Sequence, residues 1–203
     1  MPISINGSGS ITGLSVGGLP DGSVALADLA TTGTASSSTF LRGDGAFAAA
    51  GGGIFDSYAV IADVKSSGTA GGTFSTGNWR TRDLNTEIVD TDGIVSISSN
   101  QFTLQAGSYL INAISSAYKI HNTVLKLYNI TDSSDTAFGM TGYIPNTTSN
   151  QTNIHLTTRF TISGAKVFEL QQAGAGTENT YGMGVNHSFG SEIYTIIEIY
   201  KES

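Results

Sequence analysis

The chain has 203 residues, enough for one ordinary domain with its own core and a shorter segment beside it. Only 12% of the residues are charged, whereas glycine, serine and threonine are abundant, and this composition favours short strands and turns over helices. The net charge is −7 and lysine and arginine form no cluster, which argues against nucleic acid as a partner.

The first residues of the chain contain neither a basic segment nor a long apolar run, so the sequence predicts no secretory signal. No stretch approaches the roughly 20 apolar residues that a membrane helix needs. We therefore expect a protein that is made in the cytoplasm and does not insert into a membrane.

Residues 1–53 form a segment rich in glycine, serine and alanine, with only four charged side chains. Such a segment cannot bury enough surface to offset a chain entropy of roughly 1 to 2 kcal/mol per residue. Its apolar residues nevertheless recur as small islands, so we expect an extended arm that becomes ordered by docking on another protein. Val24 to Thr31 could form one or two helical turns, and the glycines at 51–53 a hinge. The predicted attachment residues are Ile5, Ile11, Leu14, Leu19, Leu26, Leu29 and Phe40.

Residues 54–203 show the period-two pattern of β-strands and constitute the predicted head domain. The clearest strand runs from Ile154 to Ile162, where apolar and polar residues alternate. Turn residues separate nine further predicted strands: Tyr58 to Val64, Asn78 to Leu84, Ile94 to Ser98, Gln101 to Leu104, Ser108 to Lys119, Val124 to Ile130, Thr136 to Tyr143, Lys166 to Gln172 and Glu192 to Lys201. Their number and spacing predict an all-β fold, a jelly-roll β-sandwich.

Two predicted strands are apolar on both faces. They lie at 108–119 and 193–200. A strand in a monomeric sandwich needs only one apolar face, so the second face requires another cover. A subunit interface would provide it; the alternative is cover by loops of the same chain. The predicted interface residues are Tyr109, Ile111, Tyr118, Tyr194, Ile196 and Tyr200.

The head carries a resemblance to a known superfamily. The run from Gln101 to Ile111, with Ser188 to Gly190 and the closing strand, resembles the globular head of complement and the tumour-necrosis-factor superfamily. This resemblance covers roughly Tyr58 to Lys201. It implies a ten-stranded jelly roll that forms a tight homotrimer, and it makes the predicted interface a trimer interface. It also implies that three residues shape a core strand pair: Phe102, Gly107 and Tyr109.

Other segments resemble surface proteins of tailed bacteriophages. Residues 5–14, 18–22 and 36–45 are similar to segments of tail-fibre and head-surface proteins, and residues 79–86 and 92–97 are similar to the heads of such proteins. The resemblance implies a structural protein on the virion surface, with the phage major capsid protein or a tail component as its partner. Receptor-binding fibres usually have a long stalk, whereas about fifty residues precede the head here.

Three functions follow as hypotheses. The first is a trimeric capsid decoration (cement) protein, which docks by its N-terminal arm and projects the jelly roll. The second is a receptor-binding protein at the tip of a tail fibre or head fibre, which recognises a host surface glycan or protein. The third, a secreted cytokine-like ligand, rests on fold alone and is disfavoured by the lack of a signal. The short arm favours the decoration protein.

Neither a metal nor a cofactor is predicted. Glu87, Asp90 and Asp92 could supply calcium ligands, but the complete EF-hand pattern is absent, and a solvated loop is the simpler interpretation. Cysteine is absent, and the histidines lack zinc-ligand spacing. They are His121, His155 and His187, of which we expect His155 to be exposed.

No phosphate loop ends in Gly-Lys-Ser/Thr, and no repeat period typical of polysaccharide depolymerases occurs. We therefore expect no enzymatic activity.

Two further features have alternative interpretations. Arg42-Gly43-Asp44 spells an integrin-binding tripeptide, but the same residues form ordinary turns, and we expect a turn.

Several aromatic residues do not fit the alternating core. Exposed, they could stack on sugar rings or contact a protein, but we expect them to fill the trimer axis. They are Trp79, Tyr128, Phe138 and Tyr143.

Overall fold

Every regular element in the described part of the chain is a β-strand. The computed structural model describes residues 31–49 and 53–203. The chain divides into two units, Met1–Gly51 and Gly52–Ser203. The predicted helical turns at 24–31 lie almost wholly outside the described residues, as does most of the predicted glycine hinge.

The described part of the first unit contains one antiparallel hairpin, formed by β1 (Thr39–Leu41) and β2 (Phe47–Ala49). Its turn includes Arg42-Gly43-Asp44: the Gly45 amide donates to the Arg42 carbonyl at 2.9 Å, and Arg42 pairs with Asp44 at 3.4 Å. The predicted turn is therefore confirmed. Among the predicted attachment residues, Phe40 lies on β1 and is 61% exposed. The others lie outside the described residues: Ile5, Ile11, Leu14, Leu19, Leu26 and Leu29.

The second unit is a sandwich of two antiparallel sheets. Its strands are β3 (Phe55–Lys65), β4 (Arg80–Thr81), β5 (Thr86–Asp90), β6 (Val95–Ser98), β7 (Gln101–Leu104), β8 (Gly107–Tyr118), β9 (His121–Asn129), β10 (Ser134–Phe138), β11 (Gly142–Ile144), β12 (Gln151–Ile162), β13 (Lys166–Gly174) and β14 (Glu192–Glu202). One sheet has five strands in the order β12-β8-β14-β3-β5. The other has seven, in the order β10-β9-β13-β7-β6, with β11 also pairing with β9 and β4 with β13.

The chain crosses repeatedly from one sheet to the other. From β7 to β9 it passes through the five-stranded sheet once, at β8, and the last three strands alternate between the sheets. These crossings place strands that are distant in sequence side by side, as in a jelly roll. The predicted all-β jelly-roll β-sandwich is therefore confirmed.

Inward-facing residues of both sheets form one hydrophobic core. Its aromatic centre contains Phe102 and Phe168, with ring centroids 5.7 Å apart, and Phe160, 5.3 Å from Phe168. Tyr109 packs against Phe160, and its hydroxyl donates to a backbone carbonyl at 3.0 Å.

This packing corrects part of the predicted trimer interface. Tyr109 and Ile111 have no exposed surface in the single chain, because both point into the space between the sheets. A residue without exposed surface has none to bury against a second copy. Tyr109 and Ile111 therefore belong to the core of the single chain and not to an interface with a second copy.

A buried arginine links the two sheets at one end of the core. Arg82 has no exposed surface, and its guanidinium donates to Thr195 of the five-stranded sheet at 3.0 Å and to Gln172 of the other sheet at 2.9 Å. It also donates to three backbone carbonyls, those of Ser116, Met183 and Tyr194. Burial lowers the pKa of Arg82 to about 10, although the nearby carboxylates of Asp63 and Asp83 oppose this shift.

Candidate interaction surfaces

The outward face of the five-stranded sheet is apolar over its central strands. Cross-strand pairing aligns Ile114, Ile196 and Ala62 in one row and Leu110, Tyr200 and Tyr58 in another. We call this surface the apolar sheet face and define it by six residues: Tyr58, Val60, Leu110, Ile114, Ile196 and Tyr200. All six are partly or largely exposed in the single chain, although the solvent face of a sheet is ordinarily polar.

One end of the apolar sheet face is aromatic. The Tyr200 ring lies 5.3 Å from that of Phe55 and 6.2 Å from that of Tyr58. Tyr58 is 47% exposed and Phe55 is 37% exposed. Large aromatic side chains with this exposure are typical of the residues that dominate the energy of protein interfaces.

A polar pair interrupts the apolar sheet face at its centre. The side-chain amide of Asn112 donates to the Glu198 carboxylate at 2.9 Å, and Asn112 accepts a hydrogen bond from Thr157 at 3.0 Å. Asn112 and Glu198 are cross-strand neighbours on β8 and β14. The carboxylate therefore has a partner within its own chain while it stays partly exposed.

At the other end, the apolar sheet face borders a shallow groove of about 260 Å³. Its lining includes Ile114, Ile193 and Ile196, and the exposed polar residue Asn153 stands at its edge. Ile193 is 46% exposed. The groove has the size and apolar lining to receive a side chain of a neighbouring molecule.

Three of the predicted interface residues lie on the outward side of this sheet. Ile196 and Tyr200 belong to the apolar sheet face, and Tyr118 lies at the end of β8, partly exposed, with its ring against that of Tyr181. These placements agree with the alternation expected for the two strands.

Tyr194 departs from the predicted alternation because β14 contains a bulge. The pairing with β3 shifts between Ile193 and Thr195, so that Tyr194 is only 4% exposed whereas Ile193 faces outward. The Tyr194 hydroxyl donates to the Thr69 carbonyl at 2.7 Å, and the ring packs against Gly184. Burial, with the nearby carboxylates of Glu192 and Asp63, raises the pKa of Tyr194 to about 12. At this position the alternative interpretation holds: the chain's own loops cover the side chain.

Glu192 organises the loops beside this bulge. It is 1% exposed, and its carboxylate accepts hydrogen bonds from the amides of Gly68 at 2.9 Å, His187 at 3.1 Å and Ser188 at 2.8 Å. Burial alone would raise the pKa of Glu192, but the three amides and the His187 side chain together outweigh burial and lower it. The folded state therefore prefers the charged carboxylate.

We expect Glu192→Gln to lower the melting temperature at pH 7. The difference in melting temperature between this variant and the parent protein should become smaller as the pH falls below 4.5. A carboxylate with a lowered pKa stabilises the folded state above its ordinary pKa, and this contribution is lost as acid protonates it. Thermal unfolding between pH 3 and pH 7 would measure the effect. Glu87→Gln, on the exposed surface of β5, is the control, and its melting temperature should equal that of the parent protein at each pH. A difference in melting temperature that does not change with pH would contradict the conclusion that the charged Glu192 carboxylate stabilises the fold.

The outward face of the seven-stranded sheet carries three aromatic side chains around a lysine, which together we call the aromatic patch: Trp79, Tyr128 and Phe138 with Lys126. The Trp79 and Phe138 rings lie 5.9 Å apart. The Lys126 ammonium lies 4.5 Å from the centre of the Trp79 ring and 4.7 Å from that of Tyr128. Sequence reasoning singled out these aromatic residues but could not assign them to a sheet. Tyr143, also 64% exposed, packs against His121 instead.

One of the three acidic residues considered as calcium ligands, Asp90, has partners within the chain. The Asp90 carboxylate accepts hydrogen bonds from the amides of Ile94 at 2.9 Å and Val95 at 3.0 Å, so it stabilises the turn after β5. Across residues 31–49 and 53–203, no three histidine, cysteine, aspartate or glutamate side chains are grouped so that they could hold a metal ion. His155 is exposed on β12, as predicted. Within the same ranges, no helix has the length and apolarity required to cross a membrane.

Known proteins include structures similar to this chain but no matching sequence. No family model matches the chain, and no curated protein matches it. Among solved structures, murine APRIL at pH 5.0 is similar with a TM-score of 0.48 and 7% identity, over 71% of this chain and 98% of that one. The globular domain of zebrafish complement 1qA protein is similar with a TM-score of 0.45 and 12% identity, over 71% and 96%. The PRD1 vertex protein P5 is similar with a TM-score of 0.43 and 16% identity, over 74% and 100%. These similarities concern the fold alone.

Proposed function

We propose that this protein is a structural, non-catalytic component of a bacteriophage virion: a homotrimeric capsid decoration protein that docks by its N-terminal arm and projects the jelly-roll head. The apolar sheet face is the observation that carries the proposal. It lies on the outward side of a complete sandwich, so the core of the single chain does not require it. Burial against further copies of the same chain would remove it from water.

The polar pair at the centre of this face supports a ring rather than a two-fold dimer. Packing two copies face to face about a two-fold axis would bring the two Glu198 carboxylates close together, and like charges in a desolvated interface repel. In the closed ring that we propose, the apolar sheet face of one copy contacts an edge of the sandwich of the next copy, and the seven-stranded sheet takes no part in the contact. This arrangement keeps the carboxylates apart, and a three-membered ring is the assembly that the sequence resemblance implies.

The assignment to a virion rests on the resemblance of residues 5–14, 18–22 and 36–45 to segments of tailed-phage surface proteins. In the described part of this region, β1 exposes Phe40 and Leu41, at 61% and 47%. Two neighbouring large apolar side chains on an exposed hairpin are suited to contact another protein. The major capsid protein is the partner we propose for the arm.

Two experiments test the proposal. Sedimentation equilibrium of the full chain should give a mass of about 63 kDa, three times the 21.0 kDa of one chain. Purified heads of a phage that carries the gene should contain the protein, and heads without it should lose integrity at a lower temperature. A monomer in solution, or heads that lack the protein and keep the same heat resistance, would each contradict the proposal.

The second candidate function is a receptor-binding protein at the tip of a tail fibre or head fibre. The exposed aromatic patch favours this function, because it lies on the sheet opposite the apolar sheet face and stays accessible if that face is buried. Purified full-length protein should then compete with phage for adsorption to host cells. Normal adsorption in its presence, and normal adsorption by a deletion phage, would exclude this role.

A further inference from the structure

We infer that the aromatic patch is a binding site for an uncharged carbohydrate. The inference goes beyond the structural role proposed above and does not depend on the oligomeric state. It begins with exposure: Phe138 is 58% exposed, and Trp79 is partly exposed beside it, on the rim of the seven-stranded sheet. Neither ring belongs to the hydrophobic core, so core packing does not explain why they are there.

The charge of the patch indicates the class of ligand. The Lys126 ammonium pairs with the Asp135 carboxylate at 2.6 Å, and the side chain is only 8% exposed. An anionic ligand therefore finds no free positive charge. The same ammonium lies over the rings of Trp79 and Tyr128, so a cationic ligand would meet a like charge where it would otherwise stack. The patch is thus suited to a neutral molecule.

The groove beside Trp79 indicates the size and polarity of that molecule. It has a volume of about 360 Å³ and is lined by the turn from Thr76 to Trp79 and by Ala173 and Gly174 of β13. This volume lies within the range of small-ligand sites. The exposed Asn78 supplies an amide at the rim, and the partly exposed Gln171, in the row of Lys126, supplies an amide oxygen, because its nitrogen donates to the Glu169 carboxylate.

A sugar ring combines the two properties that this surface accepts. Its C–H face is apolar and stacks on an aromatic ring, and its hydroxyls need donors and acceptors around the edge, which side-chain amides provide. We therefore assign the Trp79 and Phe138 rings as the stacking surface and the Asn78 and Gln171 amides as the polar rim.

Trp79 is the only tryptophan of the chain, so its fluorescence reports directly on the patch. The full-length protein should be titrated with neutral oligosaccharides of glucose, mannose and galactose, and with an oligogalacturonate as the acidic counterpart. We expect at least one neutral oligosaccharide to change the Trp79 emission saturably, and the acidic one to leave it unchanged at the same concentration.

Phe138→Ala should weaken this binding about 2- to 10-fold, because it removes one stacking ring and leaves the fluorescent one in place. Phe189→Ala is the matched control: Phe189 is 94% exposed but lies in the loop before β14, and the variant should bind like the parent. The absence of a response to every neutral sugar, a preference for the acidic sugar, or equal affinities of the two variants would overturn the inference. The titration does not depend on assembly. A failure to bind sugar would therefore not contradict the proposed trimer, and a monomeric protein in solution would not contradict the sugar site.

Discussion

Replacing Arg82 by alanine should lower the free energy of unfolding by about 3 to 5 kcal/mol, because several buried acceptors lose a hydrogen-bond donor and each unsatisfied group costs about 1 to 3 kcal/mol. The guanidinium donates to side chains of both sheets and to three backbone carbonyls, and each acceptor would lose this hydrogen bond, although Thr195 would keep the one from the Ser115 hydroxyl. The substitution also leaves a cavity at the end of the core. Arg82→Lys should recover only part of the loss, because one ammonium cannot reach both sheets.

Urea unfolding, followed by Trp79 fluorescence and by circular dichroism, would measure these changes. The matched control is Arg159→Ala. Arg159 also makes a close ion pair, at 2.6 Å to Glu202, but its side chain is 60% exposed. Solvent screens such a pair, so this variant should unfold at the same urea concentration as the parent. If Arg82→Ala unfolded within about 1 kcal/mol of the parent, the buried network would not stabilise the fold as we infer.

Replacing Ile196 by lysine should convert the proposed trimer into monomers. Ile196 lies on the central strand β14, between Ile114 and Ala62, at the end of the apolar sheet face that borders the groove. In the single chain the new ammonium can reach water, so the domain should stay folded, whereas in an interface it would be a desolvated charge without a partner. The mass by sedimentation should fall from about 63 kDa to 21.0 kDa, with an unchanged circular dichroism spectrum.

Val167→Lys is the matched control for this experiment. Val167 is a partly exposed apolar residue of β13, on the outward side of the other sheet, where no contact between copies is proposed. This variant should keep the mass of the parent protein. A trimer that survives Ile196→Lys, or dissociation by both variants alike, would show that the apolar sheet face is not the interface.

Several strands could be predicted because their residues have a strong local signal. The alternation between Ile154 and Ile162 predicted β12, and the run from Gln101 to Leu104 matches β7 residue for residue. The strand β5 was missed, because Thr86 to Asp90 is short and partly acidic and pairs with β3 on one side only. An edge strand can carry exposed charges, so its sequence resembles that of a loop.

Other differences arise where tertiary contacts interrupt a regular pattern. The predicted strand from Asn78 to Leu84 forms only the two-residue strand β4; the Arg82 amide still donates to the Leu170 carbonyl of β13 at 2.8 Å, while the Arg82 side chain enters the core. The predicted strand from Thr136 to Tyr143 is divided into β10 and β11. Between them, Gly139 passes so close to β12 that a β-carbon there would lie 2.3 Å from the His155 carbonyl oxygen. Neither contact has a local signature in the sequence.

By itself, the sequence determined that this protein is built from short antiparallel strands, because period-two alternation and turn residues act locally. It also showed that β8 and β14 are apolar on both faces. Only the tertiary structure decided which face of each strand points into the core. Tyr109 and Ile111 fill the core, and a bulge of one residue turns Tyr194 inward and Ile193 outward. The physical reason is that the side of a strand that faces the core depends on its register with neighbours far away in the chain, which a single strand's pattern does not contain.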